Sequence, residues 1–387
     1  MESKPRRVAL MLDLEWPYQR NVGTFLGAER YAEEHGWQST IDAYLYETLP
    51  SIPTNSAPFN GIICLATKKL AEWAAQLCVP LVNVWFQSPV RDTLPGVFPD
   101  YVAIGRLRAE HLLTRGFRNF ASVVSRNRRA ENLDGKEFRS ALAEAGYSCS
   151  SANVAHYPWK THLQSQKYKQ VLVAAMDEWK VPIGVYVGEE STGRLVVQMC
   201  RERGWRVPED VAIIAGYNEA AVCEYPRPSL TSVEVGNERI GYEAARQLDR
   251  LMDGKRLPSK HLMLPPTGLV VRDSTDFFAV DDEVVAAALE FIAANSHQPI
   301  RADDVAQAVA TGTRTLQLLF REHLDRPIAT EIRRVRIERA KRELTQSKQP
   351  MAVIARKVGF GKSVRMSDVF NRELGMTPSE YRRQHNK

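Results

Sequence analysis

The stretches VAQAVATGTRTLQLLFREHL (305–324) and IARKVGFGKSVRMSDVFNREL (354–374) are two copies of one helical pattern. Their apolar positions correspond at an offset of 49 before the central turn and 50 after it: Val305 with Ile354, Val309 with Val358, Leu316 with Met366, and Phe320 with Phe370. The second copy therefore has one extra residue in its turn. Two copies are too few for a solenoid, which stacks three or more. The pattern predicts two helix-turn-helix units, at about 303–324 and 351–374.

The positive charge of the chain is concentrated around this repeat. The chain has 387 residues and a formal net charge of +6. Residues 280–387 contain 19 Lys and Arg against 14 Asp and Glu, so they carry +5 of that charge. Such an asymmetry indicates a polyanionic partner for the C-terminal part. The charge alone is equally compatible with a solvated helical surface.

Upstream of the repeat, short apolar strands alternate with amphipathic helices. The strand-like segments include VALMLDL (8–14), GIICLA (61–66), FASVV (120–124), IGVYVG (183–188) and DVAIIAGYN (210–218). This alternation predicts βαβ units and parallel sheets covered on both faces. We expect an α/β domain at 6–275 with two doubly wound lobes, about 6–100 and 101–275. A linker at 276–284 would join it to an all-α domain at 285–384. A ligand cleft is expected where the strand ends of the two lobes face each other.

Several classes of protein do not fit the sequence. No apolar run approaches the ~18 residues of a membrane span. The apolar run near the N-terminus is too short for a secretory signal. The five cysteines are scattered and odd in number, as expected for reduced thiols in a cytoplasmic protein. We find no motif of a hydrolase, metalloprotease or P-loop nucleotidase, so no enzyme, metal or cofactor is expected.

Two groups of segments resemble known families. In the α/β part these are VAIGRLRAEHLLTRGFRNFA (102–121), FRSALAEAGY (138–147), RERGWRVPEDVAIIAGYNE (201–219) and PSLTSVEVGNERIGYEAARQLDRLMDG (228–254). They resemble the LacI/GalR-type periplasmic-binding-protein-like sensor domain. In the C-terminal part, RRVRIERAKREL (333–344), ARKVGF (355–360) and VFNRELGMTPSEYRR (369–383) resemble an AraC/XylS-type DNA-binding domain.

The combination of these two resemblances implies a transcription regulator. Its expected partners are promoter or operator double-stranded DNA, a small-molecule effector that is a sugar, RNA polymerase, and a second copy of the chain in a homodimer. The resemblance further implies an activator of sugar catabolic genes of the xylose type. A ligand bound in the α/β domain would shift its conformation and reposition the DNA-binding domains.

In a helix-turn-helix unit, the second helix enters the major groove with its N-terminus first. The outward positions of the predicted recognition helices are Thr313, Arg314, Gln317, Leu318 and Arg321 in the first unit, and Lys362, Ser363, Val364, Arg365 and Asp368 in the second. Arg314 is suited to guanine and Gln317 to adenine, whereas Arg321 is better placed for phosphate. Thr311 or Thr313 could cap the first recognition helix. The joining helix, 327–345, would hold the units about one DNA turn apart and present its basic residues mainly to solvent.

A sugar site needs polar groups for the hydroxyls and an aromatic ring for the apolar face. The candidates near strand ends are Asp13, Trp16, Tyr18, Trp85, Asp100, Glu190, Tyr217 and Asn218, and Asp134 is added as the nearest match to an Arg of the sensor family. The alternative for Trp85 is a core position, and the alternative for Asp100 is a helix cap. Three segments depart from the sensor family: Asp134 replaces an expected Arg, Glu189-Glu190 replaces an NDxxA-like segment, and Tyr217-Asn218 replaces a strand-end Asp. These departures motivate an alternative, in which the α/β domain is a ligand-independent dimerisation scaffold.

Overall fold

The computed structural model describes residues 5–14, 20–41, 57–125, 127–155, 161–257, 259–280, 282–324, 326–347 and 349–385. The strands are β1 Arg7–Met11, β2 Gln38–Ile41, β3 Gly61–Cys64, β4 Leu81–Asn83, β5 Gly96–Pro99, β6 Asn119–Ser125, β7 Ser150–Val154, β8 Ile183–Val187, β9 Val211–Ala215, β10 Ser232–Glu234, β11 His261–Leu264 and β12 Gly268–Val270.

Helices of the α/β part are α1 Arg20–Glu34, α2 Lys68–Gln76, α3 Tyr101–Thr114, α4 Arg129–Glu144, α5 His162–Asp177, α6 Glu190–Glu202, α7 Ala220–Glu224 and α8 Asn237–Met252. Those of the C-terminal part are α9 Glu283–Asn295, α10 Ala302–Ala308, α11 Thr313–Leu324, α12 Ile328–Gln346, α13 Met351–Lys357, α14 Ser363–Leu374 and α15 Pro378–His385. Within the described ranges, no helix is long and apolar enough to cross a membrane.

The α/β part contains two parallel sheets, as the alternating pattern predicted. The first has the strand order β11-β5-β4-β3-β1-β2, and the second has the order β7-β6-β8-β9. Alternate residues of a strand point to opposite faces. Accordingly, Val8 and Leu10 pack under α1 and α8, whereas Ala9 and Met11 pack under α2. Both faces of the sheet are therefore buried, which explains its nearly continuous apolar strands.

The second lobe is not the continuous segment 101–275 that the sequence predicted. Strand β11 pairs in parallel with β5 and so completes the first sheet. Helix α8 also packs on the first lobe, beside α1. The chain thus crosses between the lobes near residues 100, 235 and 266. Sequence periodicity shows that α8 and β11 exist, but it does not show which sheet they join.

Helices α1 and α8 approach each other unusually closely. A Cβ atom added at Gly27 would lie 1.8 Å from the carbonyl oxygen of Glu238, and one at Gly241 would lie 1.8 Å from that of Thr24. Neither position has space for a side chain. The two glycines therefore fix the separation of the helices that cover one face of the first sheet.

The C-terminal part has two separate apolar cores that share one helix. The first core contains Val305, Leu316 and Phe320, and the second contains Met366 and Phe370. Helix α12 contributes Ile328 and Ile332 to the first core, and Ile337, Ala340 and Leu344 to the second. Each core belongs to one helix-turn-helix unit, so the predicted repeat is present in three dimensions.

The described residues of the segment predicted as a linker, 276–280 and 282–284, pack between the two parts. The amide of Ala279 donates a hydrogen bond of 2.7 Å to the carbonyl of Arg115 at the end of α3. The Arg115 guanidinium lies 5.1 Å from the ring centroid of Phe278. Helix α9 begins at Glu283, after the N-cap residue Asp282. The C-terminal part therefore lies directly against the second lobe.

We predict that Gly241→Ala destabilises the protein by ~1–3 kcal/mol or more, because α1 and α8 must separate to accommodate the methyl group. Chemical denaturation would measure the change in the free energy of unfolding. Gly312→Ala is the control, since its nearest neighbouring atom would be 3.7 Å from the new carbon. Equal stability of Gly241→Ala and the parent protein would contradict the close packing described here.

Candidate functional site

The carboxyl ends of strands from both sheets face one cleft between the lobes. From the first sheet, Asp13 follows β1 and Trp85 follows β4. From the second sheet, Arg128 follows β6 and Tyr217 follows β9. All four residues line one cavity of about 280 Å³. The cleft lies where ligands bind in open parallel α/β sheets, beyond the carboxyl ends of the strands.

A larger cavity of about 620 Å³ continues this cleft. The two cavities share Arg20, Arg128, Tyr217 and Asn237. Glu190 and Asn218 also line the larger one. Asn237 is the first residue of α8, so the segment that returns to the first lobe contributes to the wall. Five predicted ligand residues are thus brought together here: Asp13, Trp85, Glu190, Tyr217 and Asn218.

Asp134 has a different environment, because it is wholly buried beneath the cleft. Its carboxylate accepts hydrogen bonds from Arg108, from the Tyr186 hydroxyl, and from the Tyr217 hydroxyl at 2.7 Å. The Arg108 guanidinium stacks on the Tyr186 ring, 4.2 Å from its centroid, and donates to the carbonyl of Gly216 at 2.6 Å. Burial raises the pKa of Asp134, and Arg108 opposes that shift. The prediction of Asp134 as a ligand residue is corrected: it holds Tyr217 in place.

The Asp100 carboxylate likewise accepts its hydrogen bonds from within the protein. Its carboxylate accepts from the backbone amides of Val102 at 3.0 Å and Ala103 at 3.1 Å, and so caps α3. Such a cap satisfies amides that have no partner within the helix. Asp100 lines neither cleft cavity. Trp16 and Tyr18 lie outside the described residues.

The loop after β9 is shaped by a buried carboxylate. Glu190, at the start of α6, accepts from the backbone amides of Tyr217 at 2.6 Å and Glu219 at 3.1 Å. Burial raises the pKa of Glu190, and these hydrogen bonds oppose the shift. Asn218 adopts a left-handed backbone conformation with φ of 63°. Its side-chain amide donates to Glu234 at 2.7 Å and accepts from Arg272 at 2.8 Å.

Sequence reasoning missed a charged group on the second lobe. Arg128 donates to Glu189 at 3.0 Å and to Glu131 at 3.4 Å. Burial and the neighbouring Glu189 raise the pKa of Glu131 to about 8. The rule that strand ends line the cleft would have found Arg128, which follows the predicted strand at 120–124. The same rule could not find Asn237, because α8 reaches the cleft from a crossing between lobes.

The two predicted recognition helices are α11 and α14, and each presents to solvent a mainly polar face that includes one apolar side chain. The exposed positions are Arg314, Gln317, Leu318 and Arg321 on α11, and Lys362, Val364, Arg365 and Asp368 on or beside α14. Thr313 and Ser363 are partly buried at the first position of each helix. The Thr313 hydroxyl donates to Asp303 of α10 at 2.8 Å. It therefore links the two helices of the first unit.

The sequence predicted that the basic residues of α12 mainly face solvent. The structure instead shows two of them hydrogen-bonded to the protein itself. The Arg336 side chain is buried and donates to the carbonyls of Ser296 at 2.8 Å and Gln298 at 2.7 Å. Arg339 donates to the carbonyl of Ala293 at 2.6 Å. These contacts tie α12 to the end of α9. The expected solvated role is therefore corrected for Arg336 and Arg339.

Arg334 belongs to a buried ion cluster on the same helix. The Glu331 carboxylate, 1% exposed, accepts from Arg334 at 2.6 Å and from Arg326 at 2.7 Å. Those guanidinium groups lower the pKa of Glu331 although burial alone would raise it. Glu331 and Arg334 border a cavity of about 200 Å³ against Arg115 of the second lobe. These two residues of α12 therefore lie at the boundary with the α/β part.

Comparisons with known proteins agree with this architecture. Residues 109–275 match the periplasmic binding protein-like domain family, and residues 305–384 match a helix-turn-helix domain family. The xylose operon regulatory protein of Escherichia coli K12 is 25% identical over 390 residues, covering 99% of this chain and 98% of its own. That of Haemophilus influenzae is 24% identical, covering 97% and 98%. A solved structure of the xylose-binding transcription activator xylR aligns over 99% of both chains, with a TM-score of 0.60 and 22% identity.

The chain is a DNA-binding transcription regulator in which a periplasmic-binding-protein-like sensor precedes a helix-turn-helix domain. The family matches assign the α/β part to the sensor family and the C-terminal helices to the helix-turn-helix family, in agreement with the described fold. More particularly, it is homologous along nearly its whole length to the xylose operon regulatory proteins.

We predict that Asp134→Asn lowers the free energy of unfolding by ~3–5 kcal/mol, because it leaves the buried Arg108 guanidinium without its counter-charge. Thermal and chemical denaturation would measure the loss. Glu144→Gln on the same helix is the matched control. Its exposed pair with Arg106 should contribute less than ~1 kcal/mol. If Asp134→Asn left stability unchanged and abolished effector binding, Asp134 would be a ligand residue after all.

Proposed function

We propose that this regulator binds a sugar in the cleft between its lobes and thereby controls DNA binding by its C-terminal domain. The observation that carries the sugar proposal is the mixed lining of the cleft. It combines the aromatic rings of Trp85 and Tyr217 with the polar groups of Asp13, Arg128 and Asn237. A sugar needs both kinds of surface. The names of the homologous xylose regulators support a pentose as the first ligand to test.

Asp13, Trp85, Glu190, Tyr217 and Asn218 are the proposed ligand-contacting residues. Trp85 offers a ring to the apolar face of the sugar, while the charged and amide groups serve its hydroxyls. Glu190 orders the loop that carries Tyr217 and Asn218, because its carboxylate accepts from the backbone of that loop. We retain Trp16 and Tyr18 as candidates on the strength of their sequence position alone.

For DNA, we propose that α11 and α14 are inserted in successive segments of the major groove. Arg314 would contact guanine and Gln317 adenine, while Arg321, one turn further, would contact phosphate. In the second unit, Lys362, Ser363, Val364 and Arg365 are the proposed contacts. Thr313 would contribute through the start of α11. The single rigid helix α12 would hold the two units in fixed register.

A path of polar contacts leads from the cleft to a cavity that α12 borders. Asn218 in the cleft donates to Glu234 on β10, and the backbone carbonyl of Glu234 accepts from the Thr267 amide at 2.8 Å. Glu234 and Thr267 also border a cavity that Arg339 of α12 and Lys357 of α13 complete. A ligand that moves Asn218 would therefore shift the residues that face α12 and α13 across this cavity. This coupling is the proposed mechanism of control.

The biological setting completes the proposal. The regulator acts without catalysis, forms a homodimer in the cytoplasm, and activates sugar catabolic genes through RNA polymerase. The scaffold alternative requires a cleft that no longer binds ligand. The continuous cavity and its mixed aromatic and polar lining favour a functional binding site instead.

Isothermal titration calorimetry with a panel of pentoses and hexoses tests the effector. We expect heat from at least one sugar, and a roughly tenfold weaker affinity, or ~1.4 kcal/mol, for Trp85→Ala. Trp73→Ala is the matched control, because Trp73 is also partly buried in the first lobe but packs on the apolar cluster around Leu70. No heat from any sugar would support the scaffold alternative.

Arg314→Ala tests the DNA contacts. It should weaken binding to the preferred duplex by ~1–3 kcal/mol and relax the choice of base at one position, whereas Arg321→Ala should weaken binding to all duplexes alike. Fluorescence anisotropy on preferred and random DNA would separate the two effects. An equal loss on both kinds of DNA for Arg314→Ala would show that Arg314 contacts phosphate.

A further inference from the structure

Each recognition helix exposes one large apolar side chain that does not pack in either apolar core of the C-terminal part. Leu318 on α11 is 59% exposed and Val364 on α14 is 68% exposed. The apolar positions that build the cores, Leu316 and Met366, are wholly buried on the other side of the same helices. Neither exposed side chain contributes to a described core. Both side chains are therefore available on the outer faces of their helices to contact a partner.

The neighbours of these side chains indicate what kind of surface that partner has. Leu318 is surrounded on the exposed face of α11 by Arg314, Gln317 and Arg321. Val364 lies between Lys362 and Arg365. An apolar group within a basic surface fits a polyanion that carries isolated methyl groups. Double-stranded DNA has this combination, because its phosphates are anionic and thymine presents a 5-methyl group in the major groove.

The two units place their apolar residues at different positions. Since Leu316 aligns with Met366, Arg314 aligns with Val364, and Leu318 aligns with Asp368. The first helix thus has a base-binding cation near its start and an apolar group one turn later. The second has an apolar group near its start and a carboxylate one turn later. Residues four apart lie on the same face of a helix, so the two side chains of each pair project toward the same surface.

We propose that Leu318 and Val364 are specificity-determining residues, each packing against the 5-methyl group of a thymine in the major groove. The inference rests on the proposed DNA contacts of α11 and α14 and adds the base class that they recognise. It also makes the two half-sites unlike. The first unit selects guanine with Arg314 and thymine with Leu318. The second selects thymine with Val364.

Replacing thymine with uracil tests this proposal directly, because uracil pairs identically and lacks the methyl group alone. A preferred duplex is first selected from a random double-stranded pool with the full-length protein. Each thymine is then replaced singly, and affinity is measured by fluorescence anisotropy. We expect a roughly three- to fivefold loss at one thymine in each half-site, the value of about one buried methyl group.

Two substitutions assign each thymine to its side chain. Leu318→Ala should remove the uracil effect in the first half-site and leave it in the second, and Val364→Ala should do the reverse. Leu163→Ala is the matched control: Leu163 is also 59% exposed but lies on α5 of the sensor, so both effects should persist.

Two results would overturn the inference while leaving DNA binding intact. One is equal affinity of the parent protein for thymine and uracil at every position of the selected duplex. The other is an unchanged uracil effect in both alanine variants. A protein that selects no preferred duplex would overturn the proposed base-specific contacts themselves, and this inference with them.

Discussion

Helix α12 is one uninterrupted helix that both helix-turn-helix units share and that also borders the α/β part. Its first half completes the core of one helix-turn-helix unit and its second half completes the core of the other. Its side chains also border cavities against the second lobe and the β10–β12 pair. At ~1.5 Å per residue, its 19 residues span roughly 28 Å. The recognition helices therefore cannot move independently unless α12 bends or one core is disrupted.

This arrangement gives the sensor a direct route to the DNA-binding domain. The buried Glu331 fixes Arg326 and Arg334 where α12 meets the second lobe. The strands that cross between the lobes lie next to the same helix. Under the proposed function, closure of the cleft would change the relation of the lobes and so the surface that they present to α12. Under the proposed function, a ligand acts on both units at once.

Much of the fold was accessible from the sequence, because it depends on local periodicity. The paired apolar pattern of 305–324 and 354–374 predicted both units, and the alternating strands predicted two parallel sheets. The return of α8 and β11 to the first lobe was not accessible. The apolar pattern of α8 and β11 indicates which of their residues are buried, but it does not indicate which lobe they pack against. The short strands β10 and β12 are too brief to produce a periodic signal.

The candidate site was predicted less completely, because the role of a charge depends on its neighbours. Asp134 has the sequence context of a ligand residue, yet three donors from distant segments occupy its carboxylate. The sequence predicts that Arg336 faces solvent, yet its guanidinium donates to the carbonyls of Ser296 and Gln298 just after α9. Asp13, Trp85 and Tyr217 were found because strand ends are recognisable in sequence and meet at one edge of each sheet.

The spacing of the DNA half-sites tests the central claim, that one rigid helix holds both recognition helices. Inserting about five base pairs between the half-sites rotates one half-site by half a turn relative to the other. Inserting about ten base pairs returns both half-sites to the same side of the duplex, but farther apart. A rigid α12 predicts that the full-length protein loses the contribution of one unit in both cases. Undiminished affinity for either duplex, measured by fluorescence anisotropy, would contradict it.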